Sequence, residues 1–181
     1  FSFINPAHEI RIEEIIKEIY PEVYVSISSK LVPEFREYSR MSTTVLNAYL
    51  GPVMKKYVHN FERSVKNTGI TVNPYVTQSN GSIISISETV DFPIKTAVSG
   101  PSAGVISATY IGQQCQSDKI ITFDMGGTSA DISLVEDGKP QLSSERLVEG
   151  YPARIPMIDI ITIGAGGGSI AYIDDGGALK V

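Results

Sequence analysis

The chain has 181 residues, the length of one domain or of a compact pair of lobes. Its 15 Lys and Arg residues against 20 Asp and Glu residues give a net charge of −5, and this acidic balance disfavours a nucleic-acid binder. The hydrophobic content of 42% excludes intrinsic disorder, and the lack of an apolar run of about 18 residues predicts no membrane span.

The first part of the chain is predicted to be mainly helical. Its elements in chain order are a helix over 5–19, a strand over 22–28, a loop over 30–41 and a helix over 42–66. An apolar face is predicted for the first helix, because four isoleucines recur at i, i+3, i+4 and i+7: Ile12, Ile15, Ile16 and Ile19. Pro52 lacks an amide hydrogen and therefore predicts a kink or a restart in the second helix.

The rest of the chain is predicted to mix strands with one further helix. The elements in chain order are strands over 72–78 and 82–85, a helix over 99–114, a buried strand over 119–123 and strands over 130–135 and 141–148. The last three strands predict an antiparallel meander. Asn80-Gly81 is typical of a type I′ hairpin turn, and Pro93 breaks any helix over 86–98. This mixture of helices and strands predicts an α/β fold.

The strongest chemical signal lies in residues 123–131, where an apolar strand ends in Asp124 and a Gly126-Gly127-Thr128 turn leads into the next strand. Glycines let backbone N–H groups approach an anion, and the Thr128 hydroxyl can donate to a phosphate oxygen. Asp124 can hold Mg²⁺ or its waters, and Asp131 can add a second oxygen. The spacing alone supports a plain β-hairpin with a glycine turn equally well.

The helix before this strand is rich in small residues, which indicates that another backbone packs closely on it; a hinge role is compatible with such packing. A second glycine-rich segment contains Gly166, Gly167 and Gly168. Two interpretations of this segment stay open. Its amides can bind phosphate, adenine or substrate, or its glycines can permit close approach in a strand-to-strand turn.

The small-residue helix and the glycine hairpin, in this order, resemble the superfamily of sugar kinases, actin and heat-shock chaperone ATPases. There the hairpin has the form Asp-x-Gly-Gly-Thr-x-x-Asp and binds phosphate. Nearly the whole chain resembles the hydantoinase A/5-oxoprolinase family. The stretches that carry this resemblance are residues 2–9, 33–38, 42–52, 78–81, 99–101, 123–129 and 159–171.

The resemblance implies a ribonuclease-H-like lobe of the actin-like ATPase fold. Residues 1–181 would be the central domain of a longer chain, with a helical insertion over 30–69 and the phosphate-binding hairpin and glycine-rich segment within 119–181. The first of the family's two phosphate hairpins, in an N-terminal ATPase lobe, is absent from this sequence. The chain also begins at Phe1 without a methionine, and we expect a fragment with negligible activity alone.

The implied activity is ATP-dependent opening of a cyclic amide such as hydantoin, 5-oxoproline or a similar lactam, with Mg²⁺ and ATP as cofactors. Phosphoryl transfer to the carbonyl oxygen activates the amide for attack by water. Carried onto this sequence, the resemblance gives Asp124 and Asp131 catalytic roles and places the metal on Asp124. The cofactor-binding residues that it implies are Gly126, Gly127, Thr128, Ser129, Gly166, Gly167 and Gly168. The implied partner is a hydantoinase B-like subunit or domain.

Two other functions remain open. One is a subunit of an ATP-dependent ketone carboxylase that shares the same ATP site, and the other is a non-catalytic nucleotide-binding or interaction lobe. The resemblance also implies a His in many relatives where this chain has Ile161, and an isoleucine side chain can neither bind a metal nor transfer a proton.

Several other polar residues favour a structural interpretation. Arg36 and Arg40, before the long helix, can contact a substrate carboxylate or a partner, but an ion-paired loop is preferred. Asn47 is expected to be a buried hydrogen-bonding residue. Cys115 is the single cysteine, so no intramolecular disulfide can form, and a reducing cytoplasm is the expected location.

Overall fold

The computed structural model describes residues 1–181. Its helices are α1 (Ala7–Ile19), α2 (Ser28–Leu31), α3 (Glu37–Asn67), α4 (Ile86–Asp91) and α5 (Ser99–Gln114), with a 3₁₀ turn at Pro93–Thr96. Its strands are β1 (Tyr75–Thr77), β2 (Ile83–Ser85), β3 (Ile120–Met125), β4 (Ala130–Glu136), β5 (Lys139–Pro140), β6 (Leu142–Ser143), β7 (Arg146–Val148), β8 (Tyr151–Ala153), β9 (Met157–Ile158), β10 (Ile160–Ile163), β11 (Tyr172–Ile173) and β12 (Leu179–Lys180). The chain divides into two compact units, residues 1–99 with 143–157, and residues 100–142 with 158–181. No helix combines the length and the apolar character that crossing a membrane requires.

The first unit is organised around α3, against which α2, α4 and the short strand β8 pack. Its core consists of the buried apolar side chains of Leu31, Val32, Ile94, Ala153, Ile155 and Met157. Leu46 and Leu50 of α3 pack against this core. Two antiparallel hairpins, β1–β2 and β7–β8, complete the unit. The hairpin expected around Asn80-Gly81 is therefore present, but the expected type I′ turn is wrong, because Gly81 has a positive φ and Asn80 does not.

A polar network crosses this core at Asn47, which is 1% exposed. The Asn47 amide nitrogen donates to Ser26 Oγ and to the Asp91 carbonyl, both at 3.0 Å, and its oxygen accepts from the Ile94 amide at 3.2 Å. The predicted buried hydrogen-bonding role of Asn47 is confirmed. Buried polar groups need such partners, because an unmade hydrogen bond in the core costs about 1–3 kcal/mol.

Tyr24 belongs to the same network. Its hydroxyl donates to the carbonyls of Val90 and Asp91 at 2.9 and 2.8 Å. Burial raises the pKa of Tyr24 to about 12, with the nearby Asp91 adding to the shift and the hydrogen bond from Asn47 opposing it. The Tyr24 ring fits here only because Gly51 of α3 has no side chain: a Cβ at Gly51 would overlap the ring atoms.

The strand expected over 22–28 is wrong. Side chains anchor this extended segment instead of a strand ladder, and α2 begins at Ser28. Glu9 of α1 accepts hydrogen bonds from Ser28 Oγ at 2.7 Å and from the Ser29 amide at 2.9 Å. Partial burial alone would raise the pKa of Glu9, but the hydrogen bonds from these serines and from Ser2 outweigh it and lower the pKa to about 2.

The helix expected over 5–19 is present, but its isoleucine face lies largely on the surface. Ile12, Ile15 and Ile19 are exposed, whereas Glu13 is 7% exposed. Glu13 accepts from Lys17 at 2.7 Å and from Lys30 at 2.6 Å. Periodicity located the helix and its apolar side. The buried residue of this helix is instead Glu13, whose ion pairs with Lys17 and Lys30 the pattern does not reveal.

The expected loop over 30–41 is shorter than predicted, because α3 already begins at Glu37, after Arg36 in the left-handed conformation with φ of 77°. The helix also continues through Pro52 instead of restarting there. A proline inside a helix removes one intrahelical hydrogen bond and its ring crowds the preceding turn, at a cost of about 3 kcal/mol. The packing of α3 on both sides of Pro52 outweighs that loss.

The second unit contains a four-stranded antiparallel sheet, in which β4 lies between β3 and β10 and β5 also pairs with β4. The helix α5 covers one face of it through Val105, which packs with Val135, Ile158 and Ile160. The closest neighbour of a helix glycine is a side chain and not the expected backbone: a Cβ at Gly112 would overlap the Ile120 side chain, and one at Gly100 would meet nothing within 4 Å.

Two strand expectations in this unit are corrected. The expected strand over 141–148 is not continuous and does not complete a meander: these residues divide into β6 and β7, β7 pairs with β8, and the strands that join β4 are β5 and β10. The strand over 119–123 is not buried on both faces: Thr122 is buried, but Ile121 and Phe123 are exposed on the opposite face. Its apolar sequence suggested burial, but α5 covers only one side.

Candidate functional site

The glycine turn between β3 and β4 is an exposed loop that carries unpaired hydrogen-bond donors. The Gly126 amide donates to the Ser129 carbonyl at 2.9 Å and closes the turn. Gly126, Gly127 and Thr128 are exposed, and Ser129 is half-buried. Within the chain, the amides of Gly127 and Thr128 and the Thr128 hydroxyl donate to no acceptor. These three donors are available to an anion.

Two carboxylates lie beside this turn on one face of the sheet. Asp124 and Asp131 are direct cross-strand partners in the antiparallel register of β3 and β4. Side chains at partner positions of such a pair are neighbours on the same face. The structure therefore brings together the two aspartates that the sequence analysis singled out, next to the turn that separates them in sequence.

A third polar residue, Thr162 of β10, completes this group. Thr162 is the register partner of Asp131 on its other side, and its Oγ1 donates to Asp131 Oδ1 at 2.6 Å. The sequence analysis did not include Thr162 in the site. The signal was present, because Thr162 is the single polar residue in β10 and alternation places it on the face opposite to Ile161.

Ile161 itself lies on the other face of the sheet. It pairs with Ile132, is exposed, and does not share the face of Asp131 and Thr162. The departure from the His of many relatives therefore does not alter the carboxylate face of this chain.

A cavity of about 330 Å³ opens beside the carboxylates, between α5 and the sheet. The helix lines it with small residues, and a Cβ at Gly104 would lie 3.9 Å from Asp124 Oδ2. The lining residues are Pro101, Gly104, Val105, Ala108, Ile120, Ile121, Thr122, Phe123, Asp124, Asp131, Ile132 and Ile160. Small side chains on α5 keep the space above Asp124 open.

The second glycine-rich segment packs directly on the turn. The amide of Gly167 donates to the Gly126 carbonyl and that of Gly168 to the Gly127 carbonyl, both at 2.9 Å. The Gly166 amide donates to Ser169 Oγ at 3.0 Å. The amides of Gly166, Gly167 and Gly168, expected to bind the cofactor, are therefore engaged within the protein.

The other candidates of the sequence lie outside this group. Arg36 forms a 3.7 Å ion pair with Glu145, and Arg40 is buried and donates to the Glu34 carbonyl, in agreement with the preferred structural interpretation. Cys115 is exposed and free. No group of three or more His, Cys, Asp or Glu side chains is arranged to hold a metal ion by itself.

Comparison with known proteins gives a consistent family signal. A family model described as Hydantoinase/oxoprolinase matches residues 40–181. Over 192 residues the chain is 42% identical to an uncharacterized protein of Methanocaldococcus jannaschii, covering 99% of this chain and 28% of that protein. It is 37% identical to caprolactamase subunit alpha of Pseudomonas jessenii over 181 residues, 100% of this chain and 26% of the relative. It is 36% identical to 5-oxoprolinase 1 of Arabidopsis thaliana over 170 residues, 93% of this chain and 13% of the relative.

Two solved structures share the fold. The crystal structure of ATP-dependent caprolactamase from Pseudomonas jessenii aligns with a TM-score of 0.86 at 37% identity, over 96% of this chain and 25% of that chain. The nucleotide-free structure of acetone carboxylase aligns with a TM-score of 0.78 at 27% identity, over 99% of this chain and 26% of that one. The expected α/β fold is confirmed by these similarities. The chain spans about a quarter of the length of these two proteins.

Proposed function

Because the chain belongs to the hydantoinase/oxoprolinase family, we propose that it is the phosphate-binding portion of an ATP-dependent enzyme that opens a cyclic amide. One observation carries this proposal: the aspartates 124 and 131 are paired across the strands beside a turn with free amide donors at Gly127 and Thr128. Anion donors next to carboxylates are the two halves of a site for phosphate with a divalent cation.

The donor set fits Mg²⁺ bound together with a nucleotide. Mg²⁺ is commonly held by one or two carboxylates plus waters and substrate phosphates, so the lack of a third protein ligand is compatible with it. Asp124, which no protein group engages, would hold the ion or its waters, and Asp131 would add a second oxygen. When bound, the ion would neutralise charge on the phosphate oxygens.

The protein groups then have separate tasks. The Gly127 and Thr128 amides and the Thr128 hydroxyl would bind and orient phosphate oxygens, which is most of what phosphoryl transfer requires of a protein. Thr162 would keep the Asp131 carboxylate in one orientation through its 2.6 Å hydrogen bond. Ser129 would shape the turn, since its carbonyl accepts from the Gly126 amide.

Opening of a lactam is the favoured reaction, by phosphoryl activation of the amide oxygen followed by attack of water. The support is the higher similarity to caprolactamase, at 37% identity, than to acetone carboxylase, at 27%. The relatives named as subunits suggest a partner subunit, which we propose to be of the hydantoinase B type. We place the enzyme in the cytoplasm, where a single free cysteine stays reduced. The chain alone is proposed to show negligible turnover.

The test is ADP release by the protein purified from its host together with any associated subunits. Caprolactam, 5-oxoproline, hydantoin and a ketone with bicarbonate are added one at a time in the presence of Mg-ATP. Stimulation by one ring amide supports the proposal and identifies the substrate class. Stimulation only by ketone with bicarbonate assigns the protein to the carboxylases, and a lack of Mg-nucleotide binding assigns it to the non-catalytic proteins.

A further inference from the structure

We infer that the segment of Gly166, Gly167 and Gly168 is a clamp that sets the direction of the free amides in the 126–129 turn. In this assignment the segment positions the turn and is not itself a ligand of the nucleotide. The inference deepens the proposed function and rests on it only where nucleotide binding is concerned. The hydrogen-bonding part of the clamp can be tested without nucleotide.

Two hydrogen bonds join the segment of residues 166–168 to the 126–129 turn. The Gly167 amide donates to the Gly126 carbonyl, and the Gly168 amide donates to the Gly127 carbonyl, each at 2.9 Å. Two successive carbonyls of the turn are therefore held from the same side by two successive amides. Exposed turns that lack such contacts are more mobile than the strands they connect.

The rigidity of the peptide group adds a second constraint. The Gly126 carbonyl and the Gly127 amide belong to one planar trans peptide unit, as do the Gly127 carbonyl and the Thr128 amide. In a trans unit the C=O and N–H bonds point in opposite directions. When the clamp holds the two carbonyls, the Gly127 and Thr128 amides must point away from the glycine segment. These are the same two amides that have no acceptor in the protein.

The space around the glycines adds a third constraint. A Cβ at Gly166 would lie 2.7 Å from the Gly126 carbonyl oxygen and from the Ser129 amide nitrogen, so that any side chain would push against backbone on both sides of the turn. A Cβ at Gly168 would lie 3.0 Å from the Gly127 carbonyl oxygen. The clamp itself is closed by Ser169, whose Oγ accepts from the Gly166 amide at 3.0 Å and whose amide donates to the Gly166 carbonyl at 2.9 Å.

Gly164 provides a matched control within the same segment. A Cβ there would meet nothing within 4 Å, and neither Gly164 nor Gly166 has a positive φ, so alanine is sterically compatible with the backbone angles at both positions. Gly166→Ala and Gly164→Ala therefore add the same methyl group, one against the turn and one into open space. Ser169→Ala removes an acceptor from the clamp without adding volume.

The experiment is nuclear magnetic resonance of the wild-type chain and these variants, with amide hydrogen exchange and amide chemical shifts as readouts. The inference predicts that Gly167 and Gly168 exchange more slowly than Gly127 and Thr128 in the wild type. Gly166→Ala should accelerate exchange at Gly167 and Gly168 about tenfold and shift the Gly127 and Thr128 resonances, whereas Gly164→Ala should leave them in place. Should Gly166→Ala not fold, Ser169→Ala is expected to give the same changes in weaker form.

Unprotected Gly167 and Gly168 in the wild type, or equal effects of the two alanine variants on the turn, would overturn the inference. The same substitutions are then made in the protein purified from its host, and the wild type and the variants are titrated with Mg-ATP. Gly166→Ala should weaken binding about tenfold and Gly164→Ala less than twofold. Wild-type protein that binds no Mg-ATP would contradict the proposed function while leaving the amide-exchange result to decide on the clamp. Wild-type binding with unchanged affinity in Gly166→Ala would contradict its role in the site.

Discussion

Substitution of Gly51 by alanine should destabilise the first unit through a single steric conflict with Tyr24. The added Cβ would overlap the Tyr24 ring, whose hydroxyl donates one bifurcated hydrogen bond to the Val90 and Asp91 carbonyls. Displacement of a packed side chain costs about 1–3 kcal/mol, and the loss of this hydrogen bond and of the one that Tyr24 accepts from the Asn47 amide adds about 1–2 kcal/mol. The better helix propensity of alanine returns about 1 kcal/mol. The expected net loss of unfolding free energy is about 1–4 kcal/mol.

The assay is urea unfolding followed by circular dichroism, with Gly51→Ala measured both in the wild type and in a Tyr24→Ala background. Once the ring is absent the conflict disappears, so Gly51→Ala should then stabilise the helix by up to about 1 kcal/mol. The account thus predicts a reversal of sign between the two backgrounds. The same loss of stability in both would refute the steric argument, since the effect could then not come from Tyr24.

Three further substitutions test other parts of the structure. Thr162→Val removes the hydroxyl that donates a hydrogen bond to Asp131, and it should weaken Mg-ATP binding on the order of 2- to 10-fold in calorimetric titration. The melting temperature should change little. Unchanged affinity would exclude a positioning role for Thr162. Glu9→Gln should reduce the loss of unfolding free energy on acidification. The Glu9 carboxylate, with a pKa of about 2 in the folded state and near 4.5 in the unfolded state, stabilises the fold above pH 4.5, and this contribution is lost as the pH falls towards 2. The same pH dependence of unfolding in the wild type and the variant would contradict this. Asn47→Ala leaves the buried Ile94 amide without its acceptor and should lower the unfolding free energy by about 2–4 kcal/mol, as measured by chemical denaturation. A loss below about 0.5 kcal/mol would contradict this structural role of Asn47.

The local sequence pattern predicted where helices lie in the chain, but it did not predict which of their residues are buried. The helices over 5–19 and 99–114 were expected, because hydrophobic period and terminal residues are local properties. The residue of α1 that is buried is Glu13, and one of its two ion-pair partners, Lys30, lies outside the helix. The extended segment over 22–28 was mistaken for a strand for a similar reason: its Val, Tyr and Ile content suits a strand, but its partners are side chains.

The sheet illustrates the same limit. The pair β3 and β4 follows from alternation and from the short turn between them. The third strand was misplaced because its choice depends on pairing over a longer stretch of chain, and residues 141–148 have a strand composition without a continuous ladder.

The candidate site was predictable where it is local in sequence. Asp124, Asp131 and the glycine turn lie within eight residues of chain and follow from one motif. Thr162 enters the group only through the register of β10, and the contact between Gly166 and the turn joins two loops that are far apart in sequence. Glycine content alone does not distinguish a segment that binds a ligand from one that packs against another backbone; the direction of its amides does.

The central claim is that the paired aspartates and the glycine turn bind Mg-nucleotide. The most direct measurement is calorimetric titration of the protein from its host with ATP, with and without Mg²⁺, for the wild type, Asp124→Asn, Asp131→Asn and Asp175→Asn. Asp175 is exposed and has no polar contact, and it controls for the loss of one charge. The account predicts Mg²⁺-dependent binding that weakens at least about tenfold in Asp124→Asn, weakens in Asp131→Asn and stays unchanged in Asp175→Asn. Binding that is absent, or equal in all four proteins, would contradict it.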